Sequence, residues 1–163
     1  MTDPTTVSPT DETVLRRAIE VARLAREAGS HPFGAVLVTA GGATFEAQNS
    51  VGDGDPTGHA ETNLVRLVSI RLSREELRTS ALYASTEPCA MCAGAIYWSG
   101  IGRVVYALPE QALAALVPAQ DGEPTLDLPC REVFARGGQT VTVAGPALLP
   151  EATAVHAGFW ESL

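Results

Sequence analysis

The chain contains no lysine: its eleven basic residues are all arginine, and nineteen Asp and Glu outnumber them for a formal charge of -8 over 163 residues. A protein that grips a polyanion needs clustered cations to displace counterions from phosphates, so this balance disfavours nucleic acid as a partner and favours a small molecule. Long apolar runs are missing too. No stretch approaches the ~18 consecutive apolar residues of a membrane span, and Met1-Thr2-Asp3-Pro4 has neither the basic flank nor the apolar run of a secretory leader. The expectation is a soluble, cytoplasmic protein with no membrane partner. Cysteine is scarce: there are three, an odd number, and two lie only three positions apart, which suits a metal in a reducing compartment better than a disulfide. What is abundant is hydrophobic residues, 45% of the chain, enough for a core without staples. With no repeat and no dividing linker, residues 1–163 are expected to form one domain, 1–10 being a flexible N-terminus.

Ser8-Pro9-Thr10-Asp11 has the form of a helix start, with Ser8 as N-cap and Asp11 placed for a capping box. Val14, Leu15, Ala18, Ala22 and Ala25 then recur at helical spacing until Gly29. Residues 33–39 read as a strand buried on both faces, turned by Ala40-Gly41-Gly42 into a second strand over 43–49. A Gly, Asp and Pro-rich loop leads into a second helix with Leu64, Leu67, Val68 and Leu72 as its buried stripe. Strands at 81–85 and 103–106 flank a third helix over Cys89–Ser99. Beyond Pro109 the expected elements are a helix at 111–116, a loop over 117–129, a helix at 131–136, a strand at 140–144 and a closing helix over 151–160. Alternating strands and helices point to a layered α/β sandwich.

The residues that carry chemistry are His59-Ala60-Glu61, at the start of the second helix, and Pro88-Cys89-Ala90-Met91-Cys92, at the start of the third. Cysteines at i and i+3 point to one side of a helix, and a helix N-terminus favours their thiolate form. Two thiolates and the His59 imidazole suit Zn²⁺, with the fourth tetrahedral position left to water. Zinc lowers the pKa of water from about 15.7 to about 7. Glu61, two residues after His59, is placed near the ion without ligating it, as a carboxylate that shuttles a proton.

On these residues the chain resembles the cytidine-deaminase-like superfamily, whose H-x-E and P-C-x-x-C signature marks zinc nucleobase deaminases. The resemblance implies a three-layer α/β/α sandwich around a central mixed five-stranded sheet. It also implies hydrolysis of an exocyclic ring amine to a carbonyl with release of ammonia, His59, Cys89 and Cys92 holding Zn²⁺ and Glu61 moving protons. The strings Pro32–Val36, Asp55–Glu61 and Glu87–Trp98 look most like the small bacterial guanine deaminases, and related strings occur in tRNA adenosine deaminases and fungal-type cytosine deaminases. A guanine or guanosine-type purine is therefore the first substrate expectation. Deamination of cytosine, cytidine or adenosine in tRNA is the alternative. The likeness runs from about Ala28 to Ala107; beyond it lies the part where such enzymes place base-recognition and lid residues. Resembling deaminases also pair through helices beside the site, so a homodimer is expected.

By the same resemblance, Asn49 matches an amide that hydrogen-bonds the ring or its sugar, and Phe33, Ala60, Trp98, Phe159 and Trp160 are expected at the substrate. Each has a plainer reading: Asn49 as a turn residue, Tyr97 and Trp98 as core, Phe159 and Trp160 as core of a closing helix. His31 is left out of the metal set. Arg66, Arg71, Arg74 and Arg78 crowd one helix and its exit, yet Glu75 and Glu76 dilute them into an ordinary solvated face. Two readings compete with catalysis. In one, Cys130 swings in as a fourth ligand and closes a purely structural zinc site. In the other, the chain is a catalytically silent, zinc-stabilised subunit.

Overall fold

The computed structural model describes residues 3–118 and 126–163. Residues 119–125, within the loop expected over 117–129, lie outside the described residues.

The capping box forms: the Ser8 hydroxyl accepts the Asp11 N–H and the Asp11 carboxylate accepts the Ser8 N–H, starting α1 (Pro9–Glu27). Its Leu15, Ala18, Ala22 and Ala25 are fully buried. The hairpin is β1 (Gly34–Val38) with β2 (Thr44–Gln48). There follow α2 (Ala60–Ser69), α3 (Arg74–Arg78), β3 (Ala81–Thr86), α4 (Ala90–Ser99) and β4 (Arg103–Leu108). The last elements are α5 (Glu110–Leu116), α6 (Cys130–Ala135), β5 (Thr142–Ala144) and α7 (Pro150–Ala154). Among the described residues no helix is long and apolar enough to cross a membrane.

The five strands make one mixed sheet in the order β2-β1-β3-β4-β5, antiparallel on the hairpin side and parallel from β3 to β5. Strand alternation sends Leu37, Leu82, Ala84 and Val104 to one face, where they meet Leu64 and Val68 of α2, Ile96 of α4 and Phe134 of α6. Val36, Tyr83, Val105 and Ala144 go to the other face, against Leu15, Ala18 and Ile19 of α1 and Ala152 of α7. This is the three-layer α/β/α sandwich. The first helix sits close on the sheet: a Cβ at Gly34 would lie 2.3 Å from the Ala18 carbonyl oxygen, so that position takes no side chain.

One expectation needs correction. The closing helix stops at Ala154 instead of continuing to Trp160; turns follow, Gly158 takes φ +70°, and the chain folds back so that its aromatic rings reach the first strand. Ahead of α1, Arg103 donates to the carbonyls of Pro4 at 3.1 Å and Thr6 at 3.4 Å.

Asp11 does more than cap. It is 3% exposed, and its carboxylate accepts from both terminal nitrogens of Arg103, at 2.8 and 3.0 Å, and from the Tyr83 hydroxyl at 2.9 Å. Burial works against its ionisation, but these bonds and those from Ser8 outweigh burial and hold the carboxyl well below the usual range. One side chain thereby joins the start of α1 to β3 and β4.

Candidate metal centre

Both β2 and β3 run antiparallel to β1, so they point the same way and deliver the chain to the same end of the sheet. There α2 and α4 begin side by side, with His59 as the N-cap of one and Cys89 as the N-cap of the other. The helices that follow need no side-chain cap at these positions, which frees the imidazole and the thiol for other work.

One ligand atom each from His59, Cys89 and Cys92 lies within 4.8 Å of the others, and His59 Nδ1 is 3.5 Å from Cys89 Sγ. With metal–sulfur and metal–nitrogen bonds of about 2.3 and 2.0 Å, a tetrahedral zinc holds its sulfur and nitrogen ligands roughly 3.6 Å apart. The donor set therefore fits Zn²⁺ in both chemistry and spacing. The Cys89 thiol is held well below the ordinary range by hydrogen bonding from Cys92 and by the His59 imidazole, the form a metal ligand needs. Among the described residues no fourth His, Cys, Asp or Glu joins the group.

Cys130 does not close the site. It is fully buried at the start of α6, outside the ligand group, with its backbone N–H donating to Glu87 at 3.1 Å. Burial, with Glu87 alongside, pushes its thiol up to about 12, the behaviour of an apolar structural cysteine.

Glu61 stands in the first turn of α2, 5% exposed, with Oε2 3.4 Å from Cys92 Sγ. Burial pushes its carboxyl up to about 7. A small cavity of about 70 Å³ opens onto Glu61, His59 and Cys89. Phe33 and Leu113 supply its apolar walls, and Thr86, Glu87 and Glu110 its polar ones. Larger space exists elsewhere, a groove of about 630 Å³ between α1 and α7, but its walls are Arg23, Glu20, Glu151 and their neighbours, ordinary charged surface.

The other expected residues fall into three groups. Phe33 lines the cavity, and Asn49 joins it through the backbone, its N–H donating to the Phe33 carbonyl at 3.0 Å. The Asn49 side chain is buried and its Oδ1 accepts the Val51 N–H at 3.0 Å, an Asx turn. Ala60 turns its methyl into the core, which leaves its first-turn N–H as what it can offer a ligand. Phe159 and Trp160 do not line the cavity but back the residue that does: Trp160 lies 6.0 Å from the Phe33 ring and 5.1 Å from His31, and Phe159 meets both Trp160 and His31 edge-on. Trp98 is a correction. It sits at the far end of α4 from the ligands, 84% exposed, and touches Tyr97 rather than the cavity. Of the four arginines on α2 and its exit, Arg66 lies 4.0 Å from Asp55 and Arg78 pairs with Glu75.

Sequence reasoning missed Thr86, Glu87, Glu110, Leu113 and His156. Glu87 accepts the N–H of Glu110 at 3.0 Å on one oxygen and that of Cys130 on the other, so it ties the starts of α5 and α6 to the end of β3. Burial, together with Glu87, pushes the Glu110 carboxyl up to about 7. His156 stacks on Trp160 and accepts its indole N–H at 3.2 Å; burial pushes its imidazole down to about 4, so it stays neutral. Only the adjacency of Glu87 to the cysteine motif offered a signal in the sequence.

Residues 8–108 match the model of the cytidine and deoxycytidylate deaminase zinc-binding region. The chain is 40% identical over 158 residues to a probable cytosine deaminase of Schizosaccharomyces pombe, covering 96% of each. It is 38% identical over 114 residues to a tRNA-specific adenosine deaminase of Haemophilus influenzae, covering 65% of this chain and 62% of that one. The crystal structure of guanine deaminase from Bacillus subtilis superposes with a TM-score of 0.59 at 37% identity, over 72% of this chain and 82% of that one. A matched region that spans most of the chain and contains the His, Glu and Cys residues gathered here shows that the protein belongs to the cytidine and deoxycytidylate deaminase zinc-binding family, as a zinc-dependent nucleobase or nucleoside deaminase.

Proposed function

We propose that the protein hydrolyses the exocyclic amine of a free nucleobase, cytosine before guanine. The observation that carries the reading is the cavity itself, where Glu61 and the ligand cluster face a space of about 70 Å³. That is far below the ~300–1,000 Å³ of sites that take drug-sized ligands, which suits a single flat ring. The arginine-only, acidic composition, with exposed arginines paired to carboxylates, supports the exclusion of RNA. Cytosine takes precedence because the S. pombe relative aligns through the region beyond residue 108 that walls the cavity. Guanine stands second, on the likeness to the B. subtilis enzyme.

His59, Cys89 and Cys92 would hold zinc, which when bound supplies the Lewis acidity that makes a solvent nucleophile available at neutral pH. Phe33 and Leu113 confine the ring, and the Ala60 N–H is available to a ring acceptor. Glu61 takes a proton from the attacking water and returns it to the departing amine. A C–O bond forms, the C–N bond breaks, and ammonia leaves with the proton that Glu61 carried.

The homodimer belongs to the same reading. Trp98 and Met91 on the outer side of α4 support it as exposed apolar residues, and the mass in solution reads it. Ammonia release is to be measured over cytosine, guanine, adenine, cytidine, guanosine and tRNA. The expected result is turnover of cytosine with the nucleosides and tRNA at least about 100-fold slower. Faster turnover of tRNA, or of a nucleoside than of its base, contradicts the reading.

A further inference from the structure

Buried polar atoms in folded proteins nearly always have a hydrogen-bond partner, so the exceptions mark places where a partner is missing. Among the described residues three buried side-chain atoms lack one, Thr86 Oγ1, Glu110 Oε2 and His156 Nε2, and the first two residues line the cavity beside the ligand cluster. Thr86 is 2% exposed at the end of β3. Glu110 opens α5, where its backbone N–H is fixed by Glu87. Glu87 between them already has a partner on each oxygen, the N–H groups of Glu110 and Cys130. The cavity therefore presents a carboxylate oxygen and a hydroxyl that the protein leaves unused, on elements held in register by the residue between them.

We propose that Thr86 and Glu110 read one edge of the base, the Glu110 carboxylate accepting a ring N–H and the Thr86 hydroxyl donating to the neighbouring ring carbonyl. This rests on reading the cavity as a nucleobase pocket. An adjacent N–H and C=O pair is what cytosine offers at N1 and C2, and guanine at N1 and C6. Adenine has no carbonyl. The pair of residues thus selects oxo-bearing amino bases, and a substituent on the recognised nitrogen removes the donor that Glu110 needs. A site built to hydrogen-bond a group discriminates strongly against an analogue that lacks it, because its own polar atoms are then left without partners.

The test measures steady-state kinetics of Glu110→Gln, Glu110→Ala, Thr86→Val and Thr86→Ser on cytosine and 1-methylcytosine, with zinc content and thermal midpoint read in parallel. Binding of cytosine and guanine to zinc-loaded Glu61→Gln is measured by calorimetry. For Glu110→Ala and Thr86→Val the expected result is a KM for cytosine raised about 10- to 100-fold with kcat changed by less than about threefold, the sign of lost ground-state contacts. Thr86→Ser, which keeps the hydroxyl, retains most of the wild-type affinity. Wild type should disfavour 1-methylcytosine by a similar factor, and Glu110→Ala should erase that preference. Unchanged KM in folded, zinc-loaded Glu110→Ala and Thr86→Val overturns the proposal while leaving the base-deaminase reading intact. If neither cytosine nor guanine binds, both fall together.

Discussion

Replacing Glu61 with Gln is expected to slow ammonia release by about 10²- to 10⁴-fold while the zinc content stays that of the wild-type chain. The amide keeps the size and planarity of the carboxyl in a position that is 5% exposed, so packing at the start of α2 is preserved and what is lost is the proton carrier. Metal binding should survive because the ligand group is His59, Cys89 and Cys92, with Glu61 outside it. This separation is what distinguishes a catalytic carboxylate from a fourth ligand. Rates within about threefold of wild type at full zinc loading would remove Glu61 from the chemistry, whereas zinc lost along with activity would make it a ligand.

A second large effect is structural. Asp11→Ala is expected to destabilise the fold by about 3–5 kcal/mol, the usual consequence of breaking a buried ion pair. For a chain of this length that lowers the thermal midpoint by roughly 6–20 °C. The substitution removes the capping box of α1, the Arg103 pair and the partner of the Tyr83 hydroxyl together. The folded-state pKa of Asp11 is depressed, so its contribution is complete above its unfolded value of about 3.9 and is lost as pH falls through the folded value. The gap between wild type and Asp11→Ala should therefore be widest near neutrality and narrow in acid. Chemical denaturation at pH 7 and at about pH 3 measures it, and equal gaps at the two pH values would contradict the assignment.

The parts of this molecule legible in the sequence are those fixed by short-range geometry. Cysteines at i and i+3 from a helix start can reach one ion, and His59 and Glu61 are equally close neighbours, so each half of the expected site is local in the sequence, and the resemblance joined the two halves. Ser8 and Asp11 announced a cap for the same reason. What stayed hidden depends on chain segments far apart. Tyr83 and Arg103 lie 72 and 92 residues from Asp11, and no local pattern showed that a capping residue would also anchor two strands. Glu110 and Thr86 face the same cavity only because α5 is folded over the end of β3 by Glu87.

The residues of α4 are apolar nearly all round, so periodicity does not say which face Trp98 occupies, and its ring emerges into solvent. The closing helix was extended too far because residues 151–160 carry helix-forming alanines, whereas ring packing among Phe33, His156 and Trp160 favours a chain that turns back. Tertiary contact prevailed over local preference there, as it often does in short terminal segments.

On the proposed reading, deamination depends on one zinc ion held by His59, Cys89 and Cys92. Elemental analysis of the purified chain, paired with ammonia release before and after chelation and after zinc is restored, tests it most directly. One equivalent of zinc, activity that vanishes with the ion and returns with it, and loss of both in Cys89→Ser are the results predicted. A chain that deaminates its substrate at full rate without a bound metal would contradict it.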